Sequence, residues 1–354
     1  METKIIQIQT DTEDFTPQEE EALRYAGQVL KQGGLVAFPT ETVYGLGGDA
    51  LNSESSGKIY AAKGRPSDNP LIVHIYRFED IYPIVEKVPE EAKKLAEAFW
   101  PGPLTMRFAK SDAVPLETTG GLDTVAVRMP SHPVARKLIA YGGGYVAAPS
   151  ANTSGRPSPT VAKYVEEDMS GRIEVIIDGG EVGIGLESTI VDMTVSPPQI
   201  LRPGYITEEM LQEVLGEVDI DVTILRDDSG QAPKAPGMKY RHYAPKGDLT
   251  IVMGTPEKVT AYINAHAQAD RAEGEKVGII GTEEVLAQYQ ADVIKSVGSR
   301  NDEDSIARHL YTILREFDDE GVTKIYSEGF ASEGFGQAIM NRLLKAAGHK
   351  IIHL

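Results

Sequence analysis

The feature that most constrains this chain is an alternation of short apolar, β-branched runs with amphipathic stretches. The runs at 35–40 (LVAFPT), 70–76 (PLIVHIY), 104–109 (LTMRFA), 124–129 (TVAVRM), 145–149 (YVAAP), 174–179 (EVIIDG) and 188–194 (STIVDMT) predict strands. Several are apolar at consecutive positions, the pattern of strands covered on both faces. Between them, 89–100 opens on a proline and two acids and stops before Pro101 and Gly102, which predicts a helix with a clear start and stop. The stretches 132–140, 160–169 and 207–218 predict further helices. A segment rich in Pro, Gly and polar residues at 228–240 has no period and predicts a linker. Beyond it the alternation resumes, with strands at 249–254, 276–282, 292–298 and 324–330 and helices near 256–267, 303–318 and 336–347. The chain is therefore expected to be α/β, with a large twisted sheet over 1–218, a linker at 219–247 and a smaller unit of parallel-sheet pattern over 248–354.

Composition narrows what such a chain can do. Its 354 residues suit two domains, and 41% hydrophobic with 25% charged residues is ordinary for a soluble globular protein. There is no cysteine, which removes disulfides, thiolate zinc sites, iron–sulfur clusters and cysteine nucleophiles together. The seven histidines show no HExxH or other metal-ligand spacing. The first fifteen residues lack the basic-then-apolar pattern of a signal peptide, and no apolar run approaches a membrane span, so a cytoplasmic location without membrane contact is expected. The formal net charge of −18 does not favour duplex nucleic acid, so an anionic ligand must be held by a small, focused set of cations and backbone N–H groups. From residue 248 on, 11 Lys plus Arg stand against 17 Asp plus Glu, which rules out a basic RNA-binding tail.

Several short segments carry groups suited to chemistry. In PTETVYGLGGDA (39–50), Thr40, Glu41 and Thr42 follow an apolar strand, and Gly45, Gly47 and Gly48 let backbone approach a ligand; a tight turn with no ligand reads equally well. In KGRPSDNPLIVH (63–74), Lys63, Arg65, Asn69 and His74 lie close together on a proline-stiffened loop and strand, which suits a polyphosphate, although a solvated basic turn is the plainer alternative. This is not a P-loop, since GxxxxGK[ST] is absent. APSANTSG (148–155) offers hydroxyls, an amide and free N–H groups, either as an anion nest or as a turn that caps itself. Ser188 opens a strand, and Arg202 lies on a short strand ahead of Pro203 and Gly204. PGMKYRHYAPKGD (236–248) packs cations, a histidine and two tyrosines into the linker.

The order of these segments, PTETVYGL, KGRP, DNPLIVH, TVAVRMP, PSAN, ESTIVD and LRPG, resembles the YrdC-like domain of the threonylcarbamoyl-AMP synthases. The paired Lys-x-Arg and Ser-x-Asn signature is present as Lys63, Arg65, Ser150 and Asn152, and the linker with its extra unit resembles the two-domain form. The resemblance implies a YrdC-like mixed sheet plus a smaller Rossmann-like unit. It implies nucleotidyl transfer: threonine, bicarbonate or CO2 and ATP give threonylcarbamoyl-AMP and pyrophosphate, with Mg²⁺ entering on ATP. The product passes to a threonylcarbamoyl-transferase complex that forms N6-threonylcarbamoyladenosine at tRNA position 37, with at most a weak tRNA contact here. By the same resemblance Lys63 and Arg65 are catalytic and bind ATP with Asn69, Thr124, Ala148, Ser150, Asn152, Arg202 and Tyr243. Thr42, His74, Arg128 and Ser188 surround threonine, with Arg128 on its carboxylate, and residues 232–246 form a lid over ATP. Two rivals differ in class. A hydrogenase-maturation carbamoyltransferase carries cysteine-rich zinc modules, which this chain lacks. A non-catalytic RNA-binding module conflicts with the acidic balance.

Overall fold

The structure, a computed structural model, describes residues 1–8, 12–221, 242–330 and 333–354. The chain divides into two compact units, residues 1–154, 158–183 and 187–240 in one and 155–157, 184–186 and 241–354 in the other.

The first unit contains β1 (Lys4–Gln7), α1 (Pro17–Lys31), β2 (Val36–Phe38), β3 (Gly45–Asp49), α2 (Ser53–Lys63), β4 (Ile72–Ile75), α3 (Glu90–Phe99), β5 (Leu104–Ala109) and β6 (Thr124–Arg128). It continues through α4 (Pro133–Tyr141), β7 (Tyr145–Ala147), α5 (Ala162–Met169), β8 (Val175–Asp178), β9 (Thr189–Asp192), β10 (Gln199–Arg202), α6 (Glu208–Leu215) and β11 (Asp219–Ile220). Among the described residues the strands form one mixed 11-stranded sheet in the order β1-β8-β2-β3-β7-β4-β6-β5-β9-β10-β11. One large core cluster includes Val73, Ile75, Met106, Val125, Val127, Ala147 and Val191, and a second gathers Phe38, Val146 and Ala148 with α1 and α4. The expected mixed sheet is present.

Two differences from the sequence reading have clear causes. The glycine-rich stretch expected to be a ligand-approaching turn is the strand β3, paired to β2 on one side and β7 on the other. A Cβ on Gly47 would lie 2.8 Å from Val146 Cγ1 and 2.9 Å from Phe38 Cε1, so packing between neighbours demands the glycine. At the other end, β11 pairs in parallel with β10, so the first sheet extends past residue 218 into what reads as linker. The expected lid at 232–246 lies mostly outside the described residues; His242 and Tyr243 are described and count with the second unit.

The second unit holds β12 (Asp248–Met253), α7 (Pro256–Ala272), β13 (Val277–Gly281), β14 (Val293–Ser296), α8 (Glu303–Asp319), β15 (Lys324–Glu328), α9 (Gly334–Ala346) and β16 (Ile351–His353). Among the described residues its five strands are all parallel in the order β14-β13-β15-β12-β16. Val252, Ile263, Val277 and Ile279 form its core against α7. Tyr243 is buried here with a left-handed φ of 63°; it stacks on Tyr311 at 5.2 Å, and the Arg342 guanidinium lies 5.8 Å from its ring. Among the described residues no helix is long and apolar enough to cross a membrane.

Candidate active site

The site follows from strand register. His74 on β4 is level with Arg128 on β6, which is level with Thr105 on β5; Thr105 is level with Ile190 on β9, and Ile190 with Arg202 on β10. Side chains alternate along a strand, so His74 and Arg128 share a sheet face with Ile72, Ala126 and Thr124. Ile72, Ala126, Ile190 and Leu201 form a small apolar cluster of their own between the polar groups.

At the Arg128 end the polar side chains hold one another. Arg128 is 4% exposed; its Nη2 donates to Glu41 Oε1 at 2.7 Å, its Nη1 to Thr42 Oγ1 at 3.0 Å and its Nε to the Gly102 carbonyl at 3.4 Å. Glu41 also accepts from the Ser131 N–H through Oε2 at 3.2 Å, and the Thr42 hydroxyl lies 2.9 Å from that of Thr40. His74 Nδ1 is 3.1 Å from the Ile72 carbonyl. Burial first, and then the Arg128 charge, push the His74 pKa down from 6.5 to about 3, which leaves a neutral imidazole near neutral pH. Ser188 Oγ lies 2.8 Å from Thr105 Oγ1 and accepts from Arg202 Nη2 at 3.2 Å, while Arg202 Nε donates to the Ser188 carbonyl at 3.1 Å. Arg202, expected among the nucleotide residues, thus stands level with Arg128 and orients Ser188.

The opposite end of β6 is about 13 Å away, four residues at ~3.3 Å each. Extending the registers puts Thr124 level with Pro70 and Ser150. Here α2 ends at Gly64, whose left-handed φ of 62° turns the chain so that Lys63 and Arg65 diverge. Lys63 is buried, and its ammonium donates to the carbonyls of Ser150 at 2.6 Å and Asn152 at 2.5 Å, with Asn152 Oδ1 at 3.4 Å. The Ser154 N–H returns to the Lys63 carbonyl at 2.9 Å, and Ser150 Oγ donates to Asn152 Oδ1 at 2.5 Å. An ammonium with these acceptors already in reach organises the 150–154 loop. Arg65 Nη2 donates to the carbonyls of Asn69 at 3.2 Å and Pro70 at 3.1 Å. Asn69 is 1% exposed, and neither atom of its side-chain amide has a hydrogen-bond partner among the described residues. Such a buried amide is costly to leave unmatched. Ala148 is buried with its N–H on the Ile72 carbonyl at 2.9 Å, and Thr124 Oγ1 accepts from Arg107 Nε at 2.9 Å.

The sequence reading left Glu41 and Thr105 without roles. Glu41 carried a signal, a carboxylate between two threonines directly after an apolar strand. Thr105 carried none, because its contact with Ser188 spans 83 residues.

The family described as "Telomere recombination", the Sua5/YciO/YrdC domain, matches residues 28–204. Every residue of the two clusters lies within those bounds. The family described as "Threonylcarbamoyl-AMP synthase, C-terminal domain" matches residues 206–348. The chain belongs to the Sua5/YciO/YrdC family. Among its Sua5 relatives, the threonylcarbamoyl-AMP synthase of Pyrococcus abyssi is 50% identical over 334 residues, covering 94% of this chain and 96% of the relative. The Bacillus subtilis protein of the same name is 46% identical over 343 residues, 97% of each chain. The crystal structure of P. abyssi Sua5 complexed with L-threonine superposes with a TM-score of 0.93 at 47% identity, covering 99% of this chain and 100% of that one.

Proposed function

We propose that this chain is a threonylcarbamoyl-AMP synthase, a nucleotidyltransferase that takes L-threonine, bicarbonate or CO2 and ATP to threonylcarbamoyl-AMP and pyrophosphate. The observation that carries the reading is likeness along nearly the whole chain to proteins of that name, 50% and 46% identical, together with a single sheet face that ends in two chemically different clusters. The Arg128 end fits a small amino acid. The guanidinium meets the carboxylate, Thr42 and Ser188 offer hydroxyls, and neutral His74 adds a hydrogen-bonding ring without a competing charge. The opposite end fits a nucleotide. Lys63 and Arg65 offset phosphate charge, Asn69 matches a donor–acceptor pair on the base or ribose, and the Ser150–Asn152 loop and Thr124 fill in the remaining contacts.

The threonine amine adds to CO2 and loses a proton, giving a carbamate. A carbamate oxygen attacks the α-phosphorus, the bond to the β-phosphate oxygen breaks, and pyrophosphate leaves with that electron pair. Both reacting groups come from substrates, so the chain's own residues bind, orient and balance charge. The groups at the phosphate end are two cations and neutral oxygen donors, which suit a Mg²⁺ ion carried on the triphosphate. The product would pass to the complex that forms N6-threonylcarbamoyladenosine at tRNA position 37, in the cytoplasm. Purified chain incubated with ¹³C-bicarbonate, threonine and ATP tests the reading by mass spectrometry. Labelled threonylcarbamoyl-AMP that needs all three substrates is expected; RNA binding without turnover would refute it.

A further inference from the structure

We propose that Glu41 is a positioning residue for the amino-acid substrate, holding the Arg128 guanidinium in the orientation that receives the substrate carboxylate. This rests on the reading that Arg128 binds that carboxylate. Arg128 is 4% exposed, and a guanidinium so far from water needs a fixed counter-charge to stay in place. Glu41 supplies it, with a side chain only 14% exposed and 2.7 Å from Arg128. Its carboxylate is anchored from a different part of the chain, because Oε2 takes the N–H of Ser131, just ahead of α4. Thr42 takes one proton of Nη1, Glu41 one of Nη2 and Gly102 that of Nε. A guanidinium has five N–H donors, so among the described residues one remains without an acceptor on each terminal nitrogen. A carboxylate in a two-pronged contact takes one donor from each of two guanidinium nitrogens, and both terminal nitrogens keep one to offer.

The pattern requires two acceptor oxygens at position 41. Glutamine keeps the shape but offers one acceptor, and its NH2 would face either the Arg128 donor or the Ser131 N–H. The neutral isostere therefore breaks one contact whichever way it turns.

The test is pyrophosphate release with threonine and ATP titrated separately in wild type, Glu41→Gln, Glu41→Asp and Arg128→Ala. Glu41→Gln should raise the threonine KM about 10- to 100-fold and leave the ATP KM within about threefold. Glu41→Asp, which keeps both acceptor oxygens, should show a smaller rise, again in threonine alone. If Glu41→Gln melts without cooperativity, the Glu41→Asp titration decides by the same split. An unchanged threonine KM in the Glu41 variants, or equal rises for both substrates, would overturn the positioning role while a threonine-selective defect in Arg128→Ala kept the site reading intact. No threonine defect in Arg128→Ala would overturn both.

Discussion

The two ends of β6 are built by opposite means. At Arg128, side chains bond to side chains: the guanidinium at the end of β6 meets Glu41 and Thr42 from the β2–β3 connection, Ser188 meets Thr105 on β5 and Arg202 on β10, and the buried charge is balanced by Glu41. At Thr124, loops do the work: the Lys63 ammonium rests on backbone carbonyls, Arg65 folds onto its own loop, and the Asn69 amide has no partner among the described residues. Side-chain contacts fix the first end. Backbone carbonyls hold the second. Substitutions should therefore act differently at the two ends, and that difference can be broken or sharpened.

The largest effect should come from Arg128→Ala. Removing a buried charge that meets a carboxylate costs about 2–5 kcal/mol, expected in threonine binding, with ATP binding near normal. Calorimetric titration of each ligand checks the split, and equal losses would erase the distinction between the ends. Lys63→Ala should come next. It removes charge beside the phosphates and the anchor of the 150–154 loop, and about 3 kcal/mol of transition-state stabilisation should go with it. Single-turnover pyrophosphate release should slow accordingly while threonine still binds; wild-type rates would remove Lys63 from the chemistry.

These two predictions show what the sequence could and could not disclose. Lys63, Arg65, Ser150 and Asn152 stand in short local patterns that a family resemblance makes legible. The Glu41–Arg128 pair spans 87 residues and joins the β2–β3 connection to β6, strands that are not neighbours in the sheet. Most strands were legible because β-branched residues run consecutively. The strand β3 was not, because close packing against Phe38 and Val146 forces glycine where a strand would otherwise show apolar side chains. The helix α1 was missed although its capping box, Thr16 with Glu19, lies in plain view ahead of Pro17. The helix α2 lacks an apolar stripe, since it buries Ser55, Ser56 and Lys63 along with Ile59 and Tyr60.

Asn69→Ala should show a smaller, two-sided effect. An unmatched buried amide costs stability, so its removal should leave the melting temperature unchanged or raised. ATP binding should weaken by about tenfold, the worth of roughly one good hydrogen bond. A lower melting temperature with unchanged ATP binding would make Asn69 structural. A different kind of effect, a slope with pH, concerns His74. Its pKa is lowered to about 3 from 6.5, so between those values the unfolded chain binds a proton that the folded chain does not. Stability should therefore rise with pH through this window and be lost as pH falls, by at most about 1.4 kcal/mol per unit from this group. Melting curves from pH 4 to 7 should be less steep for His74→Gln than for wild type; parallel curves would mean that His74 titrates normally.

The most direct test of the two-ended site is a crossed titration: threonine and ATP dissociation constants, measured separately in wild type, Arg128→Ala and Asn69→Ala. One sheet face with an amino-acid end and a nucleotide end predicts that Arg128→Ala weakens threonine and spares ATP, and that Asn69→Ala does the reverse. If each variant weakens both ligands alike, or neither, the two clusters do not divide the substrates between them and the account is wrong.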